Sequence, residues 1–145
     1  MIDEKDAKIL AELIQDGRKS VVEIANDLGL PRATVRERIQ KMVHAGVIQR
    51  FVAIPDYSKI GKTEAAFILV ACHSEADIPD QMVAEKAFRI PGVYEVAFIA
   101  GEWDILIKAR GSSEEIWQVV DKLRALKGIA RTETCMVFPP IKERF

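Results

Sequence analysis

The chain has 145 residues, a formal net charge of −1, 49% hydrophobic residues and 30% charged residues. This length and composition are typical of a globular protein with one ordinary domain or two small ones. The near-neutral charge argues against a general binder of polyanions. No apolar run approaches the roughly 18 residues of a membrane span, and the N-terminus lacks the apolar stretch of a signal peptide. We therefore expect a cytoplasmic protein without a membrane partner.

The sequence carries no motif of a catalytic or cofactor site. No serine or cysteine nucleophile has a matching histidine motif, and neither a glycine-rich phosphate loop nor a metal-ligand spacing occurs. Cys72 and Cys135 lie far apart in the sequence and outside any CxxC pair, so we expect buried free thiols. We predict no enzyme activity, no metal and no cofactor.

The first predicted elements are two helices. Apolar residues recur at spacings of three and four over residues 3 to 16, which predicts a helix there. Ser20 and Glu23 form the pattern of a capping box, so a second helix begins near Val21 and ends at Gly29, a typical left-handed C-cap. The apolar residues expected to face inward are Ile9, Leu10, Leu13 and Ile14 on the first helix, and Val22, Ala25 and Leu28 on the second.

A third helix follows the tight turn, with Pro31 in its first turn, where the missing N–H costs nothing. Two helices joined by such a turn, the second rich in arginine, are typical of a helix-turn-helix DNA reader. The residues expected to face inward are Val35, Ile39, Met42 and Val43. The outward ridge is Ala33, Glu37, Gln40 and His44, with Arg36 on one flank and Thr34, Arg38 and Lys41 on the other.

The outward side of the third helix is the predicted DNA-binding surface. In a major groove such a ridge meets base edges, while the flanking cations meet the two phosphate walls. Residues 17 to 50 have a local charge of +4, whereas residues 3 to 16 sum to −3. An ordinary solvated helix face is the alternative. The predicted DNA-binding residues are Arg32, Ala33, Thr34, Arg36, Glu37, Arg38, Gln40 and Lys41.

A strand and a linker are predicted next. Residues 47 to 54, VIQRFVAI, are mostly β-branched or aromatic and predict a strand that would make the reader winged. Residues 54 to 62, IPDYSKIGK, are rich in turn formers and predict a linker. The predicted domains are a helix-turn-helix domain at 1–50, the strand and linker at 51–62, and a second domain at 63–145.

Beyond the linker the predicted order is strand, helix, strand, strand, helix, strand. The strands are EAAFILVACH, VYEVAFIA, DILIKAR and IARTETCMVF; one helix spans residues 76 to 90, and the other runs from Ser112 or Ser113 to near Gly128. This order matches a ferredoxin-like antiparallel sheet with two helices on one face. The predicted fold class is therefore α+β, an N-terminal winged helix-turn-helix followed by a ferredoxin-like βαββαβ domain.

Apolar residues on both faces of this sheet predict a protein partner. Residues 67 to 72 are continuously apolar, and Ile105 and Ile107 point to one face while Leu106 points to the other. Helices on one side leave the second apolar face uncovered. We predict a two-fold homodimer, the commonest assembly, which also suits a protein that reads two half-sites.

The sequence closely resembles the Lrp/AsnC family of bacterial and archaeal transcription regulators over essentially its whole length. DEKDAKILAELIQDGR is similar to the opening helix of that family, LGLPRATVRERIQKMVHAGVI to its helix-turn-helix, and GEWDILIKAR to its C-terminal domain. Glu102 stands where the family more often has Asp, and Trp103 where it usually has Tyr or Phe. Pro31 replaces the hydroxyl residue that commonly caps the recognition helix.

The resemblance implies a sequence-specific regulator whose partners are double-stranded DNA, further copies of the chain and an amino acid or related metabolite. The ferredoxin-like domain would dimerise, assemble further into an octamer or a related ring, and bind the effector between dimers. A turn offers backbone N–H groups to an α-carboxylate, and an acidic side chain accepts from an α-ammonium. The implied effector-binding residues are Gly101, Glu102, Trp103, Asp104, Thr132 and Thr134.

Plainer alternatives remain at both sites. The turn at residues 101 to 104 has the composition of an ordinary hairpin, and threonine is a good strand former. An architectural protein that coats DNA without choosing sites would show a steep salt dependence and a specificity ratio near one. A metabolic ligand-binding protein or enzyme is a further alternative, because amino-acid-binding ferredoxin-like domains also occur fused to metabolic enzymes.

Overall fold

The computed structural model describes residues 2–73 and 78–138. These residues fall into two compact units, of which the first ends at Ile54 and the second begins at Pro55. The division lies inside the segment 51–62 predicted as strand and linker. Among the described residues, no helix is long and apolar enough to cross a membrane.

The first unit is a helix-turn-helix with a preceding helix. Ser20 and Glu23 form the predicted capping box, and Gly29 ends the second helix with a φ of 62°, in the left-handed region that favours glycine. A second capping box, absent from the sequence predictions, joins Asp3 and Asp6 at the start of the first helix. The helices are α1 (Glu4–Gln15), α2 (Val21–Leu28) and α3 (Arg32–His44).

The core of this unit is small. Ile14 is 62% exposed, Val22 39% and Val43 46%, although all three were predicted to face inward. Each lies at the margin of the apolar stripe of its helix, and a three-helix unit is too small to cover those margins. On α2 the inward position is taken by Ile24 instead of Val22. The buried core residues are Ile9, Ile24, Ala25, Val35, Met42 and Ile48.

The predicted strand over residues 47 to 54 is wrong. Residues 49–56 have no regular secondary structure, and none of the described strands pairs with them. High β-propensity describes a good fit to a pleated surface, and it yields a strand only where a neighbouring strand supplies hydrogen-bond partners. Phe51, Val52 and Ile54 are accordingly exposed. The described reader therefore has no wing strand in this segment.

The second unit, called the sheet unit below, is an antiparallel sheet of four strands, β1 (Glu64–Cys72), β2 (Val93–Phe98), β3 (Ile105–Gly111) and β4 (Ile129–Val137), with two helices. The strand order is β2-β3-β1-β4. The predicted order of strands and helices and the α+β class are confirmed. The second-unit helix predicted from residue 76 begins only at Asp80, after Pro79; residues 76 and 77 lie outside the described residues. A short 3₁₀ helix (Tyr57–Ile60) precedes β1. Helix α4 (Asp80–Phe88) lies between β1 and β2, and helix α5 (Ser113–Arg124) lies between β3 and β4.

The two faces of the sheet differ in burial. Ile105 and Ile107 are fully buried in the core that the sheet forms with α4 and α5. Leu106 lies on the opposite face, as predicted, where it is half-buried and pairs with Leu69. Phe67, on that same face, is 38% exposed. We call this partly exposed side, centred on Phe67, Leu69 and Leu106, the open sheet face.

Candidate functional site

The start of α3 is the first candidate site. The N–H of Leu30 donates to the carbonyl oxygen of Ala25 at 2.9 Å, which closes the turn after α2. Pro31 then occupies the N-cap of α3, and its side chain accepts no hydrogen bond from the helix. The first N–H groups of α3 therefore lack a side-chain cap at the positive end of the helix dipole, where an anion is stabilised.

Most of the predicted DNA-binding residues project from the unpacked side of α3. Three cations, Arg32, Arg36 and Lys41, are exposed and have no ion-pair partner within the described parts of the chain. Thr34 is half-buried. The remaining exposed members of the set are Ala33, Glu37 and Gln40.

Arg38 is the exception, because it is bound inside the unit. Its Nη1 donates to Asp3 Oδ2 at 2.6 Å and to Asp6 Oδ1 at 2.7 Å. Asp6 is only 2% exposed. Two hydrogen bonds lower the pKa of Asp3 to about 2; the one from the backbone N–H of Asp6 has the larger effect and the one from Arg38 the next largest. Arg38 thus ties α3 to the start of α1 through Nη1, and a phosphate contact of its guanidinium stays a prediction.

The position of Arg38 in the sequence explains this contact. It follows Val35 by three residues and precedes Met42 by four, so it stands at the edge of the buried side of α3. The acidic pair Asp3 and Asp6 at the start of α1 was the available signal. Lys19 is engaged in a similar way by Glu12 and Asp27, and these two acids raise its pKa. The local charge of +4 therefore overstates the number of free cations.

The turn between β2 and β3 is the second candidate site. Gly101 has a φ of 137°. The N–H of Asp104 donates to the carbonyl oxygen of Val70 at 3.0 Å, and its Oδ2 accepts from the N–H of Cys72 at 2.7 Å. Asp104 therefore continues the pairing between β1 and β3 past the last regular pair. One of its carboxylate oxygens is already committed to the fold.

Arg131 fastens this turn to β4. Its Nη2 donates to Glu102 Oε1 at 2.8 Å, and its guanidinium lies 4.2 Å from the centroid of the Trp103 ring. The Glu102 side chain is 72% exposed and that of Arg131 55%. Arg131 was not among the predicted site residues, although it lies next to Thr132 in the last strand. It brings Glu102 and Trp103 together on one side of the sheet.

The two threonines of the predicted effector site lie on the other side. Thr132 and Thr134 pair with Val70 and Ile68, whose side chains are buried in the core. Cross-strand partners share a face, so these threonines lie on the helix-covered side of β4. Thr132 Oγ1 accepts from Arg124 Nε at 3.3 Å. The structure therefore groups the six predicted effector residues into a turn and a strand edge on opposite faces.

A polar cavity lies beside the second group. It has a volume of about 290 Å³. Arg124, the last residue of α5, and Arg131, from β4, are among the residues that line it. Its lining is completed by Ile129, Ala130 and Thr132.

The thiol groups of the two cysteines differ in exposure. Cys72 is half-buried, and burial raises the pKa of its thiol to about 11. Cys135 is exposed, which contradicts the prediction of two buried thiols. It pairs with Phe67 on the open sheet face, where no core forms. Within the described residues, no group of His, Cys, Asp or Glu side chains is arranged to hold a metal.

Comparison with known proteins gives consistent matches for both units. Residues 2–43 match the AsnC-type helix-turn-helix domain, and residues 65–145 match the Lrp/AsnC ligand binding domain. An uncharacterized HTH-type transcriptional regulator of Pyrococcus horikoshii is 41% identical over 145 residues, covering 99% of this chain and 97% of that protein. The crystal structure of an AsnC family transcriptional regulator from Agrobacterium tumefaciens has a TM-score of 0.90 at 26% identity, covering 99% of this chain and 94% of that one. A Neisseria meningitidis transcriptional regulator crystallised with L-Met shares the fold, with a TM-score of 0.90, 24% identity and the same coverage of 99% and 94%.

Proposed function

The chain belongs to the Lrp/AsnC family of transcriptional regulators, and we propose that its helix α3 reads a specific DNA sequence in the major groove. The observation that carries this proposal is the division of α3 into an exposed ridge and free flanking cations. The ridge presents Glu37 and Gln40, while Arg36 and Lys41 have no described acidic partner on their own unit. The uncapped N-terminus of α3 adds a place for a phosphate.

The residue types define separate roles on this surface. The amide of Gln40 suits a bidentate contact with adenine, and the carboxylate of Glu37 accepts from cytosine N4. Arg32, Arg36 and Lys41 would contact phosphates, which sets orientation and affinity without choosing a sequence. Arg38 is left out of this set, because Asp3 and Asp6 already hold its guanidinium.

Paired variants test these roles. A binding site is first selected from random duplexes, and the affinities for that site and for a random duplex are measured over a series of salt concentrations. Gln40→Ala should relax discrimination at one base pair by about 1–3 kcal/mol. Lys41→Ala should weaken both duplexes alike and lower the salt slope by about one. If Lys41→Ala changed the sequence preference and Gln40→Ala did not, the roles would be assigned wrongly.

The same salt series separates a regulator from an architectural protein. A protein that only coats DNA would bind the selected and random duplexes with a ratio near one. A regulator of specific genes should prefer the selected site by about 10³-fold or more. The match to the helix-turn-helix domain and the naming of the relatives as regulators favour the second outcome.

We further propose that two copies of the chain pack through the open sheet face. Phe67, Leu69 and Leu106 form an apolar centre there, which loses contact with water when a second sheet covers it. A two-fold dimer also supplies the paired readers that two half-sites require. Further assembly into an octamer or a related ring is an expectation from the family resemblance.

Two exposed aromatic residues provide a matched test of the dimer. Phe67→Asp places a charge at the centre of the open sheet face and should give a monomer in sedimentation equilibrium at micromolar concentration. Trp117→Asp, on the exposed side of α5, should leave the assembly unchanged. A monomeric parent chain, or equal effects of the two variants, would contradict this interface.

An amino acid or a related small metabolite is the proposed effector, bound between dimers, so that the turn with residues Gly101 to Asp104 and the strand edge with Thr132 and Thr134 can come from different copies of the chain. The match of residues 65–145 to a ligand binding domain supports a ligand in this unit. Each carboxylate of the turn has one bound oxygen, that of Asp104 by the N–H of Cys72 and that of Glu102 by Arg131; Glu102 is 72% exposed whereas Asp104 is half-buried, so Glu102 is the more accessible acceptor for an ammonium group. Binding would change assembly or DNA affinity by a coupling of about 1–3 kcal/mol.

Thermal-shift measurements with all twenty amino acids test the effector. A ligand at about 100 times its dissociation constant adds about 2.7 kcal/mol of apparent stability. Glu102→Gln should remove this response while the unliganded melting temperature stays close to that of the parent chain. A flat panel, together with unchanged DNA affinity in Glu102→Gln, would leave an effector-independent regulator.

A further inference from the structure

A groove between α4 and α5 shares no lining residue with the turn at residues 101 to 104. Its volume is about 460 Å³, which falls within the range of small-molecule sites. Lys86 and Arg89 border it on the α4 side, and Lys122 borders it on the α5 side. The remaining lining residues are Ile90, Pro91, Ala125 and Leu126.

The floor of this groove is apolar. Ile90 is 8% exposed and belongs to the core of the sheet unit, and Leu126 packs against the same core. Pro91 and Ala125 add only hydrocarbon to the surface between the two helices. Hydrocarbon laid on this floor would remove apolar area from water on both partners, which is favourable.

The rim of the groove is cationic and free. Lys86, Arg89 and Lys122 are exposed, and none has an ion-pair partner within residues 2–73 and 78–138. The helix dipole accounts for a single cation near the end of each helix. It does not account for three cations from two helices around one apolar floor. Other cations of the chain, such as Lys19 and Arg131, are held by acidic residues.

We propose that this groove binds a small carboxylate that carries an aliphatic or aromatic group. The carboxylate would lie between Lys122 and Arg89, whose planar guanidinium matches its two oxygens. The apolar part would cover Ile90 and Leu126. Duplex DNA fits less well, because its backbone presents charged phosphates and polar sugars and no alkyl or aryl group to place on the floor. This site is separate from the proposed effector site and does not depend on it.

Titration of the full chain with octanoate, acetate and 1-octanol tests the two halves of the site. Octanoate has both the carboxylate and the hydrocarbon, whereas each of the other probes has only one. Octanoate should bind at least about tenfold more tightly than either probe, because 1-octanol lacks the charged hydrogen bonds of the carboxylate and acetate lacks the hydrocarbon that covers the floor. Amide NMR shifts should move at residues 86–91 and 122–126. Octanol binding as tight as octanoate binding would overturn the role of the cations.

Charge-matched variants locate the site. Arg89→Gln and Lys122→Gln should each weaken octanoate binding about tenfold while the melting temperature is retained. Lys127→Gln, next to the groove but not part of its lining, should change it less than about twofold. Equal losses in all three variants, or no octanoate binding at all, would overturn the proposal. Weaker binding of a random duplex by Lys122→Gln, without octanoate binding, would identify a polyanion surface instead.

Discussion

The two units of this chain are stabilised in different ways. The sheet unit has a large apolar core, with Ile68, Ile105 and Ile107 fully buried under two helices. The helical unit has a smaller core and adds polar contacts to it, including two capping boxes and the ion pairs of Arg38 and Lys19. In the helical unit, Arg38 and Lys19 therefore act as structural cations, although the sequence alone makes them look available for a ligand.

Alanine substitutions at matched core positions should have the largest effect on the stability of the two units. Ile24→Ala and Ile107→Ala remove the same atoms from fully buried sites, at a cost of about 2–5 kcal/mol each. In the small helical unit this is a large part of the available stability, so α1 to α3 should open while the sheet persists. Hydrogen exchange read by mass spectrometry reports each unit separately. Equal loss of protection in both units for Ile24→Ala would contradict their independence.

Two arginines of α3 offer the next test. Arg38→Ala leaves the nearly buried carboxylate of Asp6 without its cation, which is strongly destabilising. Arg36→Ala should change stability by no more than about 0.5 kcal/mol, because its side chain is exposed. For DNA binding we expect the opposite ranking of the two variants: Arg36→Ala should lower the salt slope by about one, and Arg38→Ala should leave it unchanged. Thermal unfolding at 222 nm and DNA titrations measure both effects; the opposite pattern would return Arg38 to the phosphate contacts.

The fold was largely predictable, because local signals agreed with one another. The box at Ser20 and Glu23, the left-handed Gly29 and the alternation of Ile105, Leu106 and Ile107 each follow from one local rule. The strand over residues 47 to 54 was not predictable in the same way, because a strand depends on a neighbour that propensity does not supply.

The candidate sites were less predictable than the fold. Whether Arg38 faces solvent or an acid depends on Asp3 and Asp6, which are more than thirty residues away. The contact of Arg131 with Glu102 likewise joins distant segments. Helical spacing places a side chain on a face of its own helix, and it does not reveal which charges the rest of the fold brings there.

Asp104 and Glu102 provide a third comparison, within the turn of the sheet unit. Asp104→Ala removes the acceptor for the N–H of Cys72 and should cost about 1–3 kcal/mol. Glu102→Ala breaks only an exposed ion pair and should cost no more than about 1 kcal/mol. Both tryptophans lie in the sheet unit, so the midpoint of denaturation followed by their fluorescence gives the two values. Equal costs would mean that Asp104 has no special role in closing the sheet edge.

Acid should destabilise the helical unit before the sheet unit, and this effect is the smallest of those predicted. The pKa of Asp3 is lowered from 3.8 to about 2 by the Asp6 N–H and Arg38, and the pKa values of Asp6 and Glu23 are lowered as well. A lowered pKa means that the unfolded chain binds more protons, so this stabilisation is complete above the unfolded pKa values, 3.8 for Asp and 4.5 for Glu, and is lost as the pH falls toward 2. Helicity at 222 nm should therefore begin to fall before tryptophan fluorescence, which reports only the sheet unit. Asp3→Asn tests this cause, because asparagine keeps a capping oxygen but does not titrate. The free energy of unfolding of this variant should fall below that of the parent chain by the largest amount above pH 4, and the difference should vanish near pH 2. A deficit that is constant over this range, or coincident transitions by the two probes, would show that the ion pairs of Arg38 do not set the acid stability of the helical unit.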